Sequence, residues 1–132
     1  MKIESHKENL KESLAVIEES IIKGLVERQR TIGFHVSAAS IDLLEILLHK
    51  HNLIDPGFTI KHEWLKSKNL IKEKFPFEFP KKQEILDLIY KTEEKRNTLC
   101  YGKSQKNELI QEVLENFNKL KNIFKEAGIN EI

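Results

Sequence analysis

The stretch TIGFHVSAASIDLLEILLHKH, Thr31 to His51, decides the fold of this chain. Its apolar residues occur on nearly every side of a helix rather than along one stripe. Such a helix has to be covered on most of its sides, so it lies at the centre of a helical bundle or also forms a dimer seam. Asp42 and Glu45 lie inside the apolar run, where each carboxylate needs a partner.

Amphipathic segments flank this stretch on both sides. Ser5 followed by Glu8 matches a capping box, and the apolar residues after it recur at the spacing of one helical face. Gly102 and Gly128 are placed to end helices, and Ser104 is placed to cap the last one. Besides the central helix, the pattern predicts helices over about residues 5–28, 59–72, 81–101 and 104–127.

The connections between these segments carry turn and loop signals. Asp55-Pro56-Gly57 predicts a turn after the second helix. Phe75–Pro80 predicts an ordered loop, because phenylalanines favour burial and prolines stop helices. No strand-like alternation occurs. The predicted fold class is therefore all-α, an antiparallel up-and-down bundle of four long helices with a shorter fifth, in one domain over residues 1–132.

The composition excludes several classes of function. A formal net charge of +1 gives no overall attraction to nucleic acid or membrane, so any anion site has to be local. The single cysteine, Cys100, excludes an intramolecular disulfide, and His49 and His51 lie on different helix faces, so we predict no metal and no cofactor. The first residues lack the apolar core of a signal peptide, and no apolar run approaches membrane-spanning length. We therefore expect a cytoplasmic protein.

One polar segment, Glu94-Lys95-Arg96-Asn97-Thr98-Leu99-Cys100-Tyr101-Gly102-Lys103, has the residue types of a binding site. Arg96 falls on the apolar stripe of its predicted helix, so its guanidinium needs a partner or a ligand. As a structural residue it would pair with Asp42 or Glu45, or extend from the helix end into solvent. As a functional residue it would hold a ligand. Cys100, on the same stripe, is predicted to be a small buried hydrophobe rather than a nucleophile.

Arginine is rare in this chain and occurs at two joints. Arg28 and Arg30 lie between the first two predicted helices, Arg96 is the third arginine, and all other strongly basic side chains are lysines. Because a planar guanidinium grips carboxylate or phosphate with two parallel hydrogen bonds, this distribution indicates one anion site. The alternative is that Arg28 and Arg30 cover a solvated helix end.

Arg96, Asn97 and Tyr101, on a helix that follows an almost wholly apolar second helix, resemble the motif of the HEPN superfamily of helical bundles. The resemblance spans roughly Glu8 to Phe124. In active members, an arginine, the polar residue after it and a histidine a few residues further on form a metal-independent ribonuclease site, usually at a homodimer seam. Here Tyr101 to Lys103 occupy the positions of that histidine. Tyrosine, with a pKa of about 10, exchanges protons near neutrality far less readily than imidazole.

The resemblance therefore implies a homodimer that binds RNA or a nucleotide without cutting it. Arg96 and Asn97 would hold phosphate and Tyr101 would stack on a base. The other candidate binding residues are cationic: Lys103, Arg28 and Arg30. The first alternative is a metal-independent, toxin-like endoribonuclease whose catalytic residues are Arg96, Asn97 and Tyr101. A second is the partner of a small nucleotidyltransferase, since some members form such toxin–antitoxin pairs. In a third, Arg96 is purely structural and the protein is a scaffold.

Overall fold

The computed structural model describes all 132 residues, and its regular structure is entirely helical. Five α-helices follow one another, with a short 3-10 helix, His62–Lys66, between the second and third. In chain order they are α1 (Ile3–Lys23), α2 (Gln29–Lys50), α3 (Lys68–Lys74), α4 (Lys82–Tyr101) and α5 (Asn107–Glu126). No residue forms a strand, so the predicted all-α class is confirmed.

Helix α2 lies at the centre of the bundle, where it packs against α1, α4 and α5. Every residue from Ile41 to Leu48 is buried. The expectation that no apolar run approaches membrane-spanning length is wrong for α2, which could span a membrane by length and composition alone, but most of its apolar window is buried against the rest of the chain. Phe34 is its one large apolar side chain that is exposed. The apolar surface of α2 is thus covered almost completely within a single chain.

The joint between α1 and α2 differs from the predicted one. Helix α1 is followed by Gly24, whose φ of +135° suits glycine, rather than continuing to Arg28. At its other end α1 begins at Ile3, so Ser5 lies inside the helix and caps nothing. The predicted capping box is therefore wrong, because the helix starts before the residue that would have capped it.

The single helix predicted over residues 59–72 is divided in two. Ser67 has an extended backbone between the 3-10 helix and α3, and its Oγ accepts a hydrogen bond from the N–H of Leu70 (3.3 Å). This bond caps α3. The loop after α3 buries Phe75 and Phe79, which confirms the prediction of an ordered loop that covers the core.

Helices α4 and α5 lie where they were predicted, although two of the predicted signals do not act as proposed. Gly102 follows α4 with φ −89°, and a Cβ there would lie 2.5 Å from the carbonyl oxygen of Thr98. Glycine is therefore required here because a side chain would clash with Thr98, and not because the backbone is left-handed. Ser104 does not cap α5, because the helix begins later and Lys106 is its N-cap residue. Gly128, with φ +100°, follows the end of α5 as predicted.

The two carboxylates of α2 are paired with a histidine from α1. Nδ1 of His6 forms a hydrogen bond of 2.8 Å with Oδ1 of Asp42, and Nε2 of His6 lies 3.3 Å from Oε2 of Glu45 without hydrogen-bond geometry. His6 is only 3% exposed, so one imidazole links α1 to α2 inside the core. The prediction that Arg96 pairs with one of these carboxylates is wrong, because α1 supplies their partner and Arg96 forms no ion pair.

Candidate functional site

Gln29, at the start of α2, ties the end of α4 to the joint between α1 and α2. Its Nε2 donates to the carbonyl oxygens of Leu99 (3.2 Å) and Lys103 (3.0 Å). Its Oε1 accepts a hydrogen bond from the N–H of Gln105 (2.7 Å). The side chain is buried, so these bonds are shielded from competing water. The start of α2, which includes Arg30, is thereby held beside the end of α4.

Gly33 brings α2 and α4 into close contact one turn further along α2. A Cβ on Gly33 would lie 2.6 Å from Cβ of Leu99 and 3.3 Å from Sγ of Cys100. Any larger residue would push the helices apart. The absence of a side chain at this position therefore fixes where the end of α4, including Tyr101, lies relative to α2.

These contacts leave an open concavity at the neighbouring ends of α2 and α4, which we call the Arg30–Tyr101 groove. Its first part has a volume of about 310 Å³. That part is lined by Arg30, Thr31, Phe34, His35, Cys100 and Tyr101. An adjoining part of about 440 Å³ shares Arg30, Cys100 and Tyr101 and extends over Val26 and Glu27.

Two aromatic rings are exposed in this groove beside a guanidinium. Tyr101 is 69% exposed and Phe34 is 49% exposed. Cζ of Arg30 lies 5.8 Å from the centroid of the Tyr101 ring, which is a cation–π arrangement. Arg30 forms no ion pair, so its hydrogen-bonding edge is free for an anion. The carboxylate of Glu27, in the wall of the adjoining part, would repel an anion from that side.

His35 adds a titratable ring to the groove. Its Nδ1 lies 3.1 Å from Oγ of Ser13, and its Nε2 has no hydrogen-bond partner in the protein. Burial lowers the pKa of His35, and the charge of Glu12 opposes this only in part. The imidazole is therefore neutral at pH 7 and able to accept a proton.

Cys100 forms part of the groove wall, but its thiol is not activated. Burial raises the pKa of Cys100, and the charges of Arg96 and Arg30 offset this effect only in part. The thiol therefore stays protonated at neutral pH, and the predicted burial of Cys100 is confirmed.

Of the predicted catalytic residues, only Tyr101 lines the groove. Arg96 is half-buried on α4, and its Nε is buried without a hydrogen-bond partner. Asn97 is exposed on α4 and lines neither part of the groove. The structure thus brings Tyr101 together with Arg30, from the other joint, rather than with its neighbours in the motif.

The predicted cationic binding residues differ in their positions. Arg30 lies inside the groove, whereas Arg28 and Lys103 are exposed and adjoin its lining along the chain. Phe34 and His35 line the groove although they are not predicted site residues. The signal that could have found Phe34 is its spacing of four from Arg30, which places the two side chains together on one helix face.

A second polar cluster lies one helical turn before Arg96. Oε1 of Glu93, a residue that is 1% exposed, accepts a hydrogen bond from Oγ of Ser37 (2.5 Å) and lies 3.2 Å from Nδ1 of His62. Ser37 and Glu93 approach the same ring nitrogen, whereas a catalytic triad needs the serine on the other one. The cluster therefore ties the 3-10 helix to α2 and α4 rather than activating Ser37.

No protein-family model, curated protein or solved structure matches this chain. Its function is therefore inferred from the chemistry of the Arg30–Tyr101 groove.

Proposed function

We propose that this protein binds single-stranded RNA or a nucleotide in the Arg30–Tyr101 groove and does not cut it. The observation that carries this proposal is that Arg30 lies against the Tyr101 ring and lines one concavity together with a second exposed ring, that of Phe34. Aromatic side chains stack on unpaired bases of any identity, and a neighbouring guanidinium holds a phosphate. The combination is typical of surfaces that bind single strands.

The few positive charges at the groove determine how strongly the binding should depend on salt. Arg30 is its one cation, with Arg28 and Lys103 exposed close by in the chain, and the net charge of the whole protein is only +1. We therefore expect a weak salt dependence, with log K falling by about 1 to 2 per decade of salt, as for one to three phosphate contacts. Stacking would supply the part of the affinity that does not depend on salt.

The resemblance to HEPN bundles supports the same proposal and extends it to an antiparallel, HEPN-like arrangement in the cytoplasm. His6 contacts Asp42 and Ser13 contacts His35, so the pairs run in opposite sequence directions along α1 and α2, as in such a bundle. The homodimer and the nucleotidyltransferase partner stay predictions of the resemblance.

A second candidate function is metal-independent cleavage of RNA, and the position of His35 favours it. His35 shares the first part of the groove with Arg30 and is neutral at pH 7. A neutral imidazole can take the proton of an attacking 2′-hydroxyl and return it to the 5′-oxygen as the P–O5′ bond breaks, which leaves a 2′,3′-cyclic phosphate, while a guanidinium stabilises the charge that develops on phosphorus oxygens. In this alternative His35 replaces the histidine that the motif lacks after Arg96.

The decisive experiment measures binding and cleavage of a labelled mixed-sequence single-stranded RNA by the purified protein in EDTA. Arg30→Gln should weaken binding at least about tenfold, and Tyr101→Leu should weaken it about fivefold or more, since one stacked base contributes about 1–3 kcal/mol. Lys119→Gln is the matched control, because it removes the same charge from an exposed position on α5. It should leave binding unchanged.

Two further variants separate the alternatives. Arg96→Ala should retain RNA binding if the groove is the site, whereas it should lose binding if the motif is the site. Cleavage that His35→Gln abolishes while binding remains would establish the enzyme instead of the binding module. An absence of RNA and nucleotide binding, or equal losses in Arg30→Gln and Lys119→Gln, would refute the proposal.

A further inference from the structure

A second cavity lies between α3 and the first half of α4, and we call it the α3–α4 cavity. Its volume is about 320 Å³, at the lower end of the roughly 300–1,000 Å³ that small-molecule sites occupy. Its floor is apolar and its rim is basic: Ile71, Phe75 and Leu86 below, and Lys68, Lys72 and Lys82 above. It is separate from the Arg30–Tyr101 groove, because Tyr90 in its wall precedes Tyr101 by about 16 Å along the axis of α4.

The floor of the cavity suits a flat apolar group. Ile71 and Tyr90 are half-buried, whereas Phe75 and Leu86 are only 1% and 4% exposed and separate the cavity from the core. Tyr90 adds a second aromatic ring to the wall, and its hydroxyl forms no hydrogen bond within the protein. Nζ of Lys68 lies 5.6 Å from the centroid of the Tyr90 ring, so a ligand would meet this cation–π pair and one hydroxyl that can donate a hydrogen bond.

The rim of the cavity has an excess of positive charge. Lys68 and Lys72 form no ion pair, and Nζ of Lys82 lies 3.5 Å from a carboxylate of Glu78 that is 90% exposed. The lining holds one carboxylate, Asp87, and its Oδ1 already accepts a hydrogen bond from Gln83 (2.8 Å). An anion at the rim would thus meet two unpaired ammonium groups.

We propose that the α3–α4 cavity binds a small organic anion that carries its charge on an aromatic body, as an aryl carboxylate or an aryl phosphate does. The ring lies against the half-buried Ile71, and the anionic group lies between Lys68 and Lys72. The hydroxyl of Tyr90 donates to the same group. This site is independent of the proposed RNA-binding groove.

The test is an NMR titration of the ¹⁵N-labelled protein with three probes that share one ring system: 2-naphthoate, 2-naphthyl phosphate and the neutral 2-naphthylmethanol. At least one of the anions should bind about tenfold more tightly than the alcohol or better. The amide resonances whose chemical shifts change on binding should be those of α3 and of residues 82–90. The stronger of the two anions identifies whether the natural ligand is a carboxylate or a phosphate ester.

A matched pair of variants on α3 tests the role of the rim. Lys72→Gln should weaken binding of the preferred anion at least about fivefold. Lys74→Gln should leave it unchanged, because Nζ of Lys74 lies 5.1 Å from the centroid of the Trp64 ring, outside the cavity. Equal affinities for the alcohol and both anions, equal losses in the two variants, or shifts confined to the Arg30–Tyr101 groove would overturn the proposal. None of these results would affect the proposal for RNA.

Discussion

Replacing His6 by alanine tests whether a single imidazole holds the centre of the bundle together. The substitution removes the contacts of 2.8 Å with Asp42 and 3.3 Å with Glu45. Both carboxylates lie in the core, 8% and 3% exposed, and would be left without their partner. Breaking a buried pair of this kind by removing one member costs about 3–5 kcal/mol. That is a large part of the total of about 5–15 kcal/mol that holds a domain together.

The assay is urea and thermal unfolding of His6→Ala at pH 7, followed by circular dichroism. For a chain of this length we expect the Tm to fall by about 10–20 °C. The matched control is His51→Ala, at an exposed position directly after α2, which should change the free energy of unfolding by less than about 0.5 kcal/mol.

A rescue experiment separates the loss of a partner from the loss of volume. In the His6→Ala background, Asp42→Asn together with Glu45→Gln replaces two unpaired carboxylates by neutral amides of the same shape. These changes should restore part of the lost stability, because neutral amides cost less to bury than unpaired charges. A loss below about 1 kcal/mol in His6→Ala would refute the reasoning. So would a triple variant that is no more stable than the single one.

The closest helix contact, the buried thiol and the buried carboxylate each give another prediction. Gly33→Ala should lower the Tm, because the new Cβ would lie 2.6 Å from Cβ of Leu99 and α2 and α4 would have to move apart. This overpacking costs about 1–3 kcal/mol, against a gain of about 1 kcal/mol in helix propensity. An unchanged or higher Tm would contradict this prediction. Iodoacetamide should modify Cys100 at least about tenfold more slowly in the folded protein than in urea, as followed by mass spectrometry, and equal rates would count against its burial. Burial raises the pKa of Glu45 above its ordinary 4.5, so the folded state keeps a proton that the unfolded state loses, and stability falls as pH rises from 4.5 through the folded value. Glu45→Gln should therefore remove this fall and make the protein more stable than the wild type at pH 7, and a variant that is less stable at pH 7 than at pH 4.5, relative to the wild type, would contradict the prediction.

The long helices could be predicted from the sequence because burial leaves a periodic trace, but the residues that cap their starts could not. Ser5 and Ser104 both match capping positions, yet α1 begins before one and α5 begins after the other. A capping pattern depends only on neighbouring residues, whereas the residue at which a helix begins also depends on how its first turn packs against the rest of the protein. Gly24 marks a real helix end because its backbone conformation is one that other residues avoid.

The candidate site was predictable only where rare residues mark it. The few arginines placed Arg30 and the end of α4 among the candidates, and the structure brings them together. Phe34 and His35 were missed because they lie in a helix that is apolar all round, where periodicity does not show which side stays uncovered. Gln29 was missed because a buried glutamine clamp depends on carbonyl groups that only the folded chain brings near it.

Arg30 and Arg96 are both unpaired, but their surroundings give them different roles. Arg96 is half-buried, its Nε has no partner, and the carboxyl group of Glu93, one turn earlier on the helix, already bonds Ser37 and His62. Arg96 lines neither part of the groove, although its charge acts on Cys100. Arg30 is exposed, lies over an aromatic ring and faces an open concavity. The geometry therefore favours Arg30 as the residue that contacts phosphate, and the motif around Arg96 contributes to the groove chiefly through Tyr101.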